Sequence, residues 1–289
     1  MAYLALLLFP LFVFGVPFPE HVHNRRAFPP FISGDGFRVF ADFVFDEHQN
    51  TIVPKEVFEG SVIFVKTDYT GHFFQYFHPQ IQHRYILITH NSDYGAPRSW
   101  GEYLEDPKLI AWFAMNIEWA NHPKLHPIPI GIANYEWPHG KAELIEWTKV
   151  GPKTHLLYYN LTVSNYFLER ADVWRLFSSA PFCYSSQGKN FAAYLRDLAD
   201  SKFVLSPRGN GIDTHRLWES LYLGAYPIVK RSTIDAVYEG LPVVLIDHWE
   251  SVTEEFLNQK YEELSKKTFS LEPLRLDYWT HLIDSYRTK

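Results

Sequence analysis

Cysteine occurs once, at Cys183, so no disulfide can form within this chain of 289 residues. That counts against an exported domain stapled by several bridges, though it does not overturn export. There is no block of five or six like charges, and the net charge is −6. A nucleic-acid binder shows a basic stripe, so that class is set aside; an anionic ligand has to be held by local cations and helix ends. Asp-x-Asp is absent, which argues against a diphosphate held through a metal, and no metal or other cofactor is expected. Also missing is an early Gly-x-Gly-x-x-Gly with an acid about 20 residues on, the pattern of a nicotinamide-dependent oxidoreductase. Beyond residue 18 no apolar run is long enough to span a bilayer.

Apolar and aromatic residues, by contrast, are plentiful. Hydrophobic residues make up 46% of the chain and charged ones 21%, the balance of a globular protein with a sizeable core. The aromatics read mostly as core, although sugar-handling proteins use such faces as platforms. Residues 1–18 are apolar with Pro10 in the middle. They read as a secretory signal with small-residue geometry at Val13 and Gly15, or as a retained anchor, the only membrane attachment the chain offers. No Lys or Arg precedes the run, and Arg25 and Arg26 follow it. With the sequon Asn160-Leu161-Thr162, a secretory or Golgi-lumenal location is expected, a cytoplasmic or viral one being the alternative.

Short apolar runs alternate with helical patterns along the chain. Phe37 to Phe45 alternates as a strand does, and Ser61–Lys66, Tyr85–His90 and Leu109–Met115 read as buried strands. After turn signals between Asn134 and Gly151, strands are expected at Leu156–Leu161, Phe203–Leu205, Tyr226–Val229 and Val243–Ile246. Helices are expected at Phe167–Phe177, Asn190–Asp200, from Thr214, at Val252–Lys267 and at Tyr278–Tyr286. The pattern predicts an α/β fold with parallel sheets in two lobes, residues 19–140 and 141–289, and ligands in the cleft between them.

The most informative segment runs from Lys202 to Lys230, a strand, a glycine loop, a helix and a second strand. A loop opening onto a helix start offers unpaired N–H groups to phosphate oxygens. Arg208, Gly209, Asn210, Gly211, Asp213, Thr214 and Arg216 lie there, with Glu219 one turn beyond Arg216, placed to hold ribose hydroxyls. Each has a plain reading: a tight turn, an Asp213 cap that competes for the same donors, an Arg216–Glu219 surface pair. Phosphate contact is therefore assigned mainly to Arg208, the backbone of residues 209–211 and Arg216. Together they outline a sugar-nucleotide site.

Asp93 follows a buried strand and is the first candidate for a general base acting on an acceptor hydroxyl; Glu118, past the next strand, is the second. For Asn91 to Asp93 turn chemistry is an equal reading. Trp137 reads as core or as a sugar platform, with core packing the plainer choice. His21 and His23 lack a third ligand and are discounted as a metal site.

Ser206-Pro-Arg-Gly-Asn-Gly211, Thr214-His-Arg-Leu-Trp-Glu219, Gly224-Ala-Tyr-Pro-Ile-Val229 and Tyr238-Glu-Gly-Leu-Pro242, in this order and spacing, resemble the exostosin-like glycosyltransferases, family 47. The likeness extends over residues ~85 to 250 and is nearest to short, single-unit microbial and viral members. It implies a GT-B architecture, a UDP-sugar donor (UDP-xylose and UDP-glucuronate are candidates) held by the second lobe, and a glycan or glycoprotein acceptor. It also implies inversion without a metal. A catalytically inactive glycan- or nucleotide-binding relative is the second reading, and a nicotinamide-dependent oxidoreductase a distant third.

Overall fold

The computed structural model describes residues 25–289. The signal-like segment at residues 1–18 and His21/His23 lie outside the described residues. The first sheet is formed by β1 (Phe43–Phe45), β2 (Ser61–Lys66), β3 (Tyr85–His90), β4 (Leu109–Ala114) and β5 (Leu125–Pro127), all parallel and in chain order. β2 and β3 are buried almost end to end, as expected of parallel strands covered on both faces. The second sheet contains β6 (His155–Tyr159), β7 (Cys183–Ser185), β8 (Ser201–Leu205), β9 (Tyr226–Lys230) and β10 (Val244–Ile246). Its order is β10-β9-β8-β6-β7, again parallel throughout.

Read from the far edge, this is the 2-1-3-4-5 order of a doubly wound sheet. The order reverses between β6 and β8, and ligands of such sheets bind at that point, outside the carboxyl ends of the strands. The loops after β8 meet the loops after β3 and β4 of the first sheet: Asn210 bonds Asp93, and the Asp213 amide donates to Asn116. The carboxyl ends of both sheets thus face one another across a shared cleft. The arrangement is GT-B-like, two Rossmann-like lobes with a cleft between them.

One expected strand is largely a helix. Residues 34–40 form α1 (Gly34–Phe40), and strand structure begins only at Phe43. The Ser33 hydroxyl caps α1 by accepting from the Gly36 amide. A side chain at residue 34 would collide with Asn91, and one at residue 36 with Leu276. The period-two spacing of the aromatics therefore does not mark a strand here: the segment is capped as a helix and closely approached at both glycines. Trp147, in α2 (Ala142–Trp147), is exposed, while α3 (Phe167–Phe177) and α4 (Phe191–Ala199) flank the second sheet.

Helix α5 (His215–Tyr222) joins the two lobes. Leu217, Trp218 and Leu221 are buried in the cluster that also holds the core of the first sheet. Burying side chains of this size contributes about 1.5–3 kcal/mol each. The helix stops at Gly224 (φ 67°), where the Ala225 amide reaches back to the Ser220 carbonyl. After α6 (Glu254–Leu264), α7 (Leu276–Asp284) returns to the first lobe and packs against α1. The Leu276 amide donates to the Pro30 carbonyl at 2.9 Å, and Ile283 is fully buried in the same core. No helix of the described residues is long and apolar enough to cross a membrane.

Candidate functional site

The loop after β8 is held by Arg170 of α3. Its Nε donates to the Arg208 carbonyl at 2.8 Å and Nη1 to the Thr162 carbonyl at 3.1 Å. One side chain thus ties the loop after β8 to the loop after β6, at the point where strand order reverses. Arg170 is 5% exposed and forms no salt bridge among the described residues. Burial, and then the neighbouring Arg216 charge, pull it down to about 10.

Arg216 sits beside this clamp on the first turn of α5. Its Nε and Nη1 are buried and have no hydrogen-bond partner. The hydroxyls of Ser206 and Thr214 are buried and unpartnered as well. All four atoms are able to donate, and all lie within residues 206–216. Leaving a buried donor unsatisfied costs about 1–3 kcal/mol, so several of them in one short segment call for an acceptor. Two guanidinium groups that repel one another call for a negative one.

Glu219, one turn further along α5, is 3% exposed and accepts from the Tyr194 hydroxyl of α4 at 2.8 Å. Burial pushes its carboxyl up to about 7, against the opposing pull of Tyr194 and Arg216. Arg208 takes another course. Its guanidinium lies 4.3 Å from the Tyr166 ring and donates to the carbonyls of Gly209 and Asn210, again without a salt bridge. Neither Arg208 nor Arg216 is neutralised by a carboxylate in an ion pair among the described residues.

Asp213 is fully engaged within the protein. Its carboxylate accepts from the amides of Ile130 and Thr214, the Trp218 indole and the Tyr238 hydroxyl. Burial raises it to about 6 despite these bonds. Asp213 therefore stitches the glycine loop to the first lobe and has no free oxygen to offer a ligand; Thr214, not Asp213, is the N-cap of α5. Gly211 is needed for close approach, because a Cβ there would stand 2.5 Å from Asn116 Nδ2. A Cβ at Gly209 would stand 3.2 Å from Arg170 Nη2.

Across the cleft, Asp93 is exposed and accepts from the Asn210 side chain at 3.0 Å. Glu118 is exposed as well, and packs against Gly95, two residues past Asp93. Asn91 and Asn116, in the loops after β3 and β4, both take left-handed backbone (φ 58° and 57°). Such a conformation suits asparagine better than most residues and turns each chain sharply along the cleft edge.

Sequence reasoning missed Arg170, Tyr194 and His215. The His215 ring bonds the Gly131 carbonyl at 2.8 Å and lies near enough to Asp93 to feel its charge, although burial holds the imidazole down at about 4. Only His215 lay in a motif already singled out. Trp137 is 54% exposed, not core, and stacks loosely on His139. Among the described residues, no group of three or more His, Cys, Asp or Glu is arranged to hold a metal ion.

No family model and none of the curated proteins matches the chain. Among solved structures, the crystal structure of a GtfA/B complex is similar at 9% sequence identity with a TM-score of 0.40. The match covers 81% of this chain and 59% of that one, so this chain spans less than two thirds of its neighbour's length. A likeness this distant bears on neither substrate nor mechanism.

Proposed function

We propose that this protein is an inverting, metal-independent glycosyltransferase of the exostosin-like type, moving a sugar from a UDP-sugar to a glycan hydroxyl. One observation carries the reading: four buried donor atoms without partners, two of them on Arg216, lie in the segment 206–216, which the Arg170 clamp holds where the second sheet reverses its strand order. An oxyanion ligand supplies what they lack. Arg216, with Arg208 swinging off Tyr166, binds the diphosphate and stabilises the charge that grows on it as the sugar departs. Glu219, held by Tyr194, accepts from the ribose hydroxyls.

Asp93 takes the proton from the acceptor hydroxyl, with Glu118 the second carboxylate on that wall. Its place opposite the glycine loop supports this role, since a displacement with inversion needs base and leaving group on opposite sides of the reacting carbon. A UDP-sugar approaching the loop competes with Asp93 for Asn210 and so frees the base. The alternative, an inactive binding relative, keeps the anion site but transfers nothing.

Incubation with a panel of UDP-sugars, UDP-xylose and UDP-glucuronate included, and simple glycoside acceptors tests the reading. Release of UDP that depends on both substrates is expected. UDP binding without transfer to any acceptor selects the inactive relative, and failure of every nucleotide to bind removes the proposal.

A further inference from the structure

A cavity opens in the first lobe, at the carboxyl ends of β2 and β3. It has a volume of about 180 Å³, and its wall includes Thr67, Asp68, Arg98, Ser99, Trp100 and Trp112. Sites for drug-sized ligands occupy roughly 300–1,000 Å³, so this space suits a single ring rather than a nucleotide. Its floor is rigid. Trp112 is fully buried and its indole donates to the Thr89 hydroxyl at 2.8 Å. Trp100 is packed against residue 71, where a Cβ would stand 2.6 Å from the indole, so only glycine leaves that ring in place.

The charged groups on the wall are uncommitted. Asp68 and Arg98 take part in no hydrogen bond or ion pair among the described residues; Arg98 only rests on the exposed Tyr94 ring, 4.3 Å away. Arg98 also holds a left-handed backbone (φ 51°), a conformation arginine rarely adopts, which indicates that the surrounding loop fixes its position. A carboxylate that can accept from two neighbouring hydroxyls, a guanidinium that can donate two bonds, and indole surface beside them make the chemical set that binds a pyranose.

We propose that this cavity binds one pyranose residue of the acceptor glycan, with Asp68 and Arg98 holding its hydroxyls against Trp100. The assignment rests on the glycosyltransferase reading, and its position fits that reading. Gly95 and Pro97 also line the cavity, and they lie on the same loop as Asp93. Glu118 lies against Gly95, where a Cβ would stand 3.0 Å from its carboxylate oxygen. The cavity therefore borders the loop that carries Asp93, with Glu118 against the same loop.

The full chain, without donor, is titrated with the methyl glycosides of glucopyranose, xylopyranose and glucopyranuronic acid while indole N–H resonances are followed by NMR; Trp100→Phe assigns the Trp100 signal. Saturable movement of that signal at millimolar concentration is expected for at least one glycoside, weakened about tenfold or more by Asp68→Asn. Asp68 is exposed, so this variant keeps the fold; Arg98→Gln is the second variant and weakens binding in the same way. No saturable response to any glycoside, or one unchanged in both variants, overturns the subsite. UDP-induced thermal stabilisation is read in parallel. UDP binding without glycoside binding removes the subsite alone, whereas glycoside binding without UDP binding removes the donor reading and leaves a saccharide site.

Discussion

Asn210, in the glycine loop of the second lobe, donates its side-chain amide to the carboxylate of Asp93 in the first at 3.0 Å. The bond joins the proposed donor cradle to the proposed base directly across the cleft. Asp93→Asn keeps the shape but cannot take a proton. Transfer is expected to fall by about 10²–10⁴, the usual worth of general-base catalysis, while the rise in Tm produced by UDP stays as in the parent. Steady-state kinetics and thermal unfolding with UDP check the two halves; unchanged kcat moves the role to Glu118.

Arg216 separates stability from function. Its buried donors have no partner, and repulsion from Arg170 offsets its attraction to Glu219, so it contributes little to the empty fold. Arg216→Met is expected to unfold at the same temperature as the parent or higher. Its transfer rate should nevertheless drop by about 10²–10³, as when a preorganised charge donor is removed. A variant that is both less stable and fully active contradicts the assignment.

The Glu219 carboxyl, raised by burial from 4.5 to about 7, binds more protons folded than unfolded within that window. Its contribution to stability is therefore present at low pH and declines as pH rises from about 4.5 to about 7, by on the order of 2–3 kcal/mol at the upper end. His90 and His215, held down at about 4 by burial, act in the opposite sense between about 4 and 6.5, so the parent's own profile is a balance. The comparison with Glu219→Gln isolates the carboxyl. The Tm of the variant minus that of the parent should become more favourable to the variant as pH climbs from 5 to 8, and a flat difference refutes it.

Gly211 tests the contact between the lobes. A methyl group there meets Asn116 Nδ2 at 2.5 Å, beside the bond from the Asp213 amide to Asn116. Gly211→Ala is expected to cost about 1–3 kcal/mol by overpacking, measured by urea unfolding, whereas Asn210→Ala on the exposed side of the same loop stays within about 0.5 kcal/mol.

Much of the fold is legible in the sequence because parallel strands covered on both faces leave continuous apolar runs. β2, β3, β8 and β9 each stand out in that way. α1 does not, since its aromatics fall at strand spacing, whereas the segment is a helix capped by Ser33 with close approaches at Gly34 and Gly36. β7 is three residues long, at a sheet edge and part-exposed, so no pattern marks it. In the site, the glycine loop and the two arginines beside it read directly from the sequence. Arg170 does not, because it bonds a carbonyl 38 residues away from inside an ordinary helix. The role of Asp213 was equally hidden, since its partners Ile130 and Tyr238 come from distant parts of the chain.

In the proposed mechanism the second lobe holds a diphosphate through Arg216 and its neighbours. Calorimetric titration of UDP into the full chain, with and without EDTA, tests it most directly, with Arg216→Met run alongside. One site per chain, unaffected by chelation and lost in the variant, is expected; no heat of binding in the parent, or equal affinity in the variant, rules out a diphosphate held by Arg216.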